Sequence, residues 1–146
     1  MENIDKIQIA EEMMTAAIVE YLEHRRYYAA INLAGVAEEL YGKLLRVSGG
    51  KTMKDEVIDA ALDAANAEKE GFLNRTDMKR AANYYKNAIK HMNSENDRFI
   101  RLDSETEDRY AIAEAMETRD KLSLPPNEFL DLFSEDAKKY NSENTP

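Results

Sequence analysis

Apolar residues recur at spacings of three and four along nearly the whole chain, the period of a helix rather than a strand, and this pattern predicts an all-α fold. A first helix over residues 4–23 places Ile7, Ala10, Met14, Ala17, Ile18, Tyr21 and Leu22 on one face. A second, over residues 27–47, carries Ala30, Leu33, Ala37, Leu40 and Leu44 as its inward stripe. No strong breaker separates them, so residues 23–26 are either a tight corner or the middle of one long helix. A third helix over residues 53–68 turns Val57, Ile58, Ala61, Leu62 and Ala65 inward, and Gly71 ends it. The fourth, over residues 76–92, has Met78, Ala82, Tyr85, Ile89 and Met92 as its apolar stripe and is expected to pack on the second at the centre.

Beyond it, the polar connection 93–103 holds a short apolar island at 99–102 with the character of an edge strand. Ser104 followed by Glu107 reads as a capping box that opens a fifth helix ending near Leu122. Pro125 and Pro126 interrupt the pattern, and Phe129, Leu130, Phe133, Ala137 and Tyr140 mark a short sixth helix. The expected architecture is an up-and-down helical bundle of five to six helices, a single domain over residues 1–140 with a frayed tail at 141–146.

Three positions in and after the second helix change the picture. Glu38 shares a stripe with Ile31, Ala34, Tyr41 and Leu45, so its carboxylate has to be paired, hydrogen-bonded or at the domain edge; it is kept as a candidate ligand-binding residue. Gly35 and Gly42 lie two turns apart, and glycine costs about 1 kcal/mol in a helix interior, which points to close approach by a neighbour from the same chain or a second subunit. Gly49 and Gly50 close the helix as a left-handed cap. The segment Ser48 to Thr52 ends like a phosphate-binding loop, but Leu45 stands where that motif needs its first glycine, and no strand precedes it.

Composition excludes several chemistries. With 43% hydrophobic and 34% charged residues over 146 positions, the chain can bury a core and is not a disordered segment. It contains no cysteine, which removes disulfides, thiolate zinc sites and cysteine nucleophiles. Neither histidine, His24 or His91, follows a glutamate by three, so the bundle-type carboxylate metal site is missing, and neither a metal nor a cofactor is expected. The first residues are acidic with no apolar leader, and no apolar run approaches the roughly 20 residues a bilayer span needs; the expectation is a cytoplasmic protein with no membrane partner.

Charge singles out one segment. Between Arg75 and His91 stand five cations, Arg75, Lys79, Arg80, Lys86 and Lys90, against Asp77 alone, in a chain whose formal charge is −9. Arg80, Tyr84, Asn87 and His91 follow at spacings of four, three and four, which puts them on one polar stripe beside the apolar one. Histidine titrates near neutrality and serves as general acid or base, while a nearby cation holds phosphate or stabilises charge on it. His91, Lys86 and Asn87 are therefore the candidate catalytic residues, and Arg80, Tyr84 and Lys90 join Glu38 as candidate ligand-binding residues.

The run Lys86 to His91 (KNAIKH) resembles the signature of the HEPN superfamily: an arginine, a polar residue, three variable positions and a histidine. Residues 28–45 (YAAINLAGVAEELYGKLL) are similar to a helix of uncharacterised bacterial HEPN-like proteins, and the later acidic helix bearing Met116 and Arg119 extends the likeness over residues 20–122. The resemblance implies a helical homodimer with Asn87 and His91 at or beside the interface, and active members of the family are metal-independent endoribonucleases of toxin or defence type. Lys86 departs from the signature, because lysine offers phosphate a point charge where arginine offers a planar bidentate fork. The acidic remainder also works against nonspecific nucleic-acid affinity, and no DNA partner is expected.

Three readings follow: a non-catalytic HEPN-like dimeric module that binds a protein partner or a nucleotide or RNA-type ligand; a ribonuclease using His91 with Lys86 and Asn87; or an unrelated helical bundle serving interaction.

Overall fold

Asp5 opens the first helix by accepting a hydrogen bond from the Ile7 backbone N–H at 2.9 Å, satisfying one donor that a helix start leaves free. In the computed structural model, which describes residues 1–67 and 73–144, that helix is α1 (Lys6–Val19). It is followed by α2 (Tyr27–Val47), α3 (Met53–Ala67), α4 (Arg75–Ala82), α5 (Tyr84–Ala88), α6 (Ser104–Asp120) and α7 (Glu128–Asn144). No strand occurs among the described residues, and the island 99–102 is merely extended. No described helix is long and apolar enough to cross a membrane.

Residues 23–26 form a corner. The chain widens into one π-helical turn, Glu20–His24, and Arg25 takes a left-handed conformation at φ 55°. The Arg26 N–H then closes the turn onto the Glu20 carbonyl at 3.0 Å. At the far end of α2, Gly49 at φ 82° donates to the Arg46 carbonyl and Gly50 to the Leu45 carbonyl, the two bonds of a Schellman cap. Thr52 follows at once: its hydroxyl accepts from the Asp55 N–H, and the Asp55 carboxylate accepts from the Thr52 N–H, a reciprocal cap for α3. The loop-like sequence at 48–52 is thus two helix caps back to back.

The core is built from α1, α2, α6 and α7. Met14, Ile18 and Tyr21 meet Ile31, Ala34 and Tyr41 of α2, Ile112 of α6 and Phe133 of α7. Alanines at 10, 17, 30, 34, 37, 111 and 115 keep the helices close. Tyr21 packs edge-on to Phe133 at 5.7 Å, and the Arg109 guanidinium lies 3.8 Å over the Tyr140 ring, fixing α7 against its neighbours. A polar link ties the other end: Arg119 is bidentate to Glu11 at 2.7 and 2.8 Å, and the Tyr41 hydroxyl donates to Glu11 at 2.6 Å.

Several sequence expectations are corrected. Among the described residues there are seven α-helices rather than five or six, because the segment expected as one fourth helix is two. The most buried face of α2 is the one that contains Glu38, with Ile31, Ala34 and Tyr41, while Leu33, Leu40 and Leu44 are only half-buried. Both stripes of α2 are apolar because it is flanked by α1 on one side and α6 on the other, so periodicity alone does not choose between them. α2 is central, but its main neighbours are α1 and α6 rather than the fourth predicted helix. Val57 points outward. The N-cap of α6 is Asp103, which accepts from the Thr106 N–H, one residue ahead of the Ser104 box. α7 includes residues 141–144. The predicted end of the third helix, at Glu68 and Gly71, lies outside the described residues.

Candidate functional site

The basic segment folds as two short helices because Asn83 diverts the backbone between them. Its side-chain amide donates to the Lys79 carbonyl at 2.8 Å, and its Oδ1 accepts from Lys54 at 2.9 Å. An asparagine that bonds its own preceding turn competes with regular helix, and Asn83 sits at φ −105°, ψ 11°, outside the helical well. No residue of α4 or α5 is fully buried. The segment lies on the surface of the α2–α6 pair and presents a cleft on each flank.

On the first flank, Arg80, Tyr84, Asn87 and His91 line one cleft of about 580 Å³ with Asn93, Asp97, Phe99 and Ile100. The spacing of four, three and four survives the break at Asn83, so all four side chains reach the same space. The His91 imidazole is exposed and makes no hydrogen bond or ion pair among the described residues. Arg80 reaches the exposed Asp77 at 3.5 Å, and Tyr84 packs edge-on against Tyr85. An aromatic wall, an arginine and a free imidazole can receive a flat or anionic group.

On the second flank, Lys86 turns away from His91 into a cleft of about 400 Å³ between α2, α3 and α5. There it joins a quartet of alternating charge. Lys86 pairs with Glu114 of α6 and, at 3.5 Å, with Glu38 of α2; Lys54 of α3 pairs with Glu114 at 2.8 Å and Glu38 at 3.7 Å. Both lysine side chains are only 12% exposed. Burial alone works against the Lys86 ammonium, but Glu38 and Glu114 outweigh it and hold its pKa above the ordinary lysine value. Burial likewise works to raise Glu114, and the two lysines reverse it, leaving the carboxyl below its usual range. Gly35 and Gly42 are covered by side chains rather than by a second backbone: Lys86 and Lys90 lie over Gly35, and Arg46 and Thr52 over Gly42.

The sequence-derived site is therefore split. Arg80, Tyr84, Asn87 and His91 come together; Glu38, Lys86 and Lys90 come together on the opposite flank; Asn87 lines both clefts. His91 and Lys86 line different clefts, because adjacent positions 86 and 87 differ by about 100° around a helix and His91 follows the side of Asn87 that faces the first cleft. Sequence reasoning missed Lys54, Glu114, Lys79 and Asn83. Glu114 and Lys54 lie 28 and 32 residues from Lys86, and nothing local marks them, whereas Lys79 and Asn83 stand at helical spacing from Lys86 and Lys90 and form a second stripe beside that of Arg80, Tyr84, Asn87 and His91. Among the described residues no group of three or more His, Asp or Glu side chains is placed to hold a metal ion. Compared with known proteins, the chain matches no family model, no curated protein and no solved structure.

Proposed function

We propose that the chain is a non-catalytic HEPN-like module, a helical homodimer that binds a protein partner or a nucleotide or RNA-type ligand on the surface formed by α4 and α5. The observation that carries this reading is the placement of Lys86. Ribonucleolytic chemistry of the family type needs a cation and the histidine serving the same phosphate. Here the Lys86 ammonium is held by Glu38 and Glu114 on the flank opposite His91. Arginine at position 86 would meet the same two carboxylates, so the position is suited to holding helices together. The exposed aromatic and apolar residues that line the His91 cleft, Tyr84, Phe99 and Ile100, favour association over solvent.

One observation favours the second reading, a metal-independent endoribonuclease: Arg80 lines the same cleft as His91. Incubation of the purified protein with a mixed RNA pool, with and without chelator, separates the two. The expected result is intact RNA with wild type, His91→Ala and Lys86→Arg alike. Cleavage by the wild-type protein that disappears in His91→Ala, and in Arg80→Ala, would make the ribonuclease reading the correct one.

A further inference from the structure

The second cleft carries more positive charge than its own carboxylates neutralise. It is lined by six cations, Lys43, Arg46, Lys54, Lys79, Lys86 and Lys90, against Glu38, Glu39 and Asp55. Lys54 and Lys86 are committed to Glu38 and Glu114 within the quartet. Arg46 bonds Asp55 at 2.8 Å, and Lys43 bonds Glu39 at 2.6 Å. Two ammonium groups, Lys79 and Lys90, have no carboxylate within ion-pair distance among the described residues, Lys90 acting on Glu39 only from farther away, and the Asn87 amide makes no side-chain hydrogen bond. Beneath Lys90, Gly35 leaves the wall low: the place a Cβ would occupy is 3.7 Å from the Lys90 Nζ.

We infer that this cleft is a binding site for a polyphosphate, either inorganic or carried on a nucleoside. Lys79 and Lys90 line the cleft from the two sides of the break at Asn83, with Asn87 between them in the chain, so an anion that carries several charged groups along its length can answer both lysines and the amide together. A volume of about 400 Å³ falls in the range of small-molecule sites. A long nucleic-acid strand would extend past the cleft onto a chain of net charge −9, which repels it. Lysines suit this role because their flexible heads follow phosphate oxygens without a fixed bidentate geometry. The inference rests on the reading of the α4–α5 surface as a ligand surface and not on the chemistry of His91, which lines the other cleft, so intact RNA in a cleavage assay or a monomer in solution leaves it standing.

The test is isothermal titration of the full chain with sodium tripolyphosphate and, separately, with magnesium-free ATP at low ionic strength. Saturable binding of tripolyphosphate is expected. It should weaken at least tenfold in a Lys79→Ala/Lys90→Ala double variant and stay within twofold in Arg101→Ala, an exposed arginine that lines neither cleft. The two lysines are exposed, and circular dichroism with thermal melting of the unliganded variants establishes that they fold. ATP binding tenfold tighter than tripolyphosphate would assign the nucleoside form, and equal or weaker ATP binding the inorganic form. Absence of binding at millimolar probe, or equal affinity in wild type and the double variant, would overturn the inference.

Discussion

Asp108 is the residue least reconciled with its surroundings. It is fully buried on α6, and neither carboxylate oxygen has a hydrogen-bond partner among the described residues. Burial pushes its pKa up to about 8, with Arg109 opposing only weakly. A raised carboxyl pKa means the folded state holds a proton that the unfolded chain releases near pH 4, so stability falls as pH rises through that window. The expected slope is about 1.4 kcal/mol per pH unit between pH 5 and about 7.5. Asp108→Asn, uncharged in both states, should flatten that slope and raise stability at pH 7, measurable by urea unfolding across the range. An unchanged slope in the variant would show that the carboxyl is ionised in the folded protein. Glu11 has the opposite sign: burial works to raise it, but Arg119 and Tyr41 outweigh that and hold it below the ordinary value, so its contribution is lost only in acid. Arg119→Ala strands this carboxylate, and a loss of about 3 kcal/mol is expected at neutral pH in the same unfolding assay. Glu38 is legible in the sequence because apolar residues flank its stripe on both sides. Asp108 is hidden in the polar run 104–109, and only its spacing to Ala111 and Ile112 hints that it faces inward.

The helices divide by how they are held. α1, α2 and α6 share one apolar core, while α4 and α5 bury no residue fully and are attached largely through charge. Hydrogen exchange should accordingly be slowest in α1, α2 and α6 and fastest in α4, α5 and the connection 93–103, as expected where few apolar contacts back the backbone bonds. Lys86→Ala removes one of two cations from Glu38 and Glu114, and a loss of about 2 kcal/mol is expected, with exchange in α5 accelerated more than in α2. Equal acceleration everywhere would mean that the quartet supports the whole core rather than one edge. These attachments explain what the sequence reveals. α1, α2, α3 and α6 are readable from period and caps, since both act within a few residues. The break at Asn83 joins a local bond to the Lys79 carbonyl with one from Lys54, 29 residues away, and the choice of buried stripe on α2 depends on which helices flank it, so neither is written wholly in the local sequence.

Taken as one object, the molecule has a local excess of cations on an acidic body, and its two clefts answer differently to salt. The proposed homodimer would bring together two copies of formal charge −9, so screening should favour association, and the exposed Tyr84, Phe99 and Ile100 of the His91 cleft supply apolar area that salt does not weaken. Polyphosphate at the opposite cleft relies on Lys79 and Lys90, whose attraction the same screening reduces. Light scattering over a concentration series at two salt concentrations should therefore show dimer at both, with the association tighter at the higher one, while tripolyphosphate affinity moves the other way. Phe99, 83% exposed, is the residue whose change isolates the interface: Phe99→Asp adds a charge to each copy where no core contact is lost, so it should shift the protein to monomer without altering its circular dichroism or its polyphosphate affinity. A wild-type protein that scatters as a monomer at every concentration and salt would remove the homodimer, and with it the reason for placing Asn87 and His91 beside a second subunit.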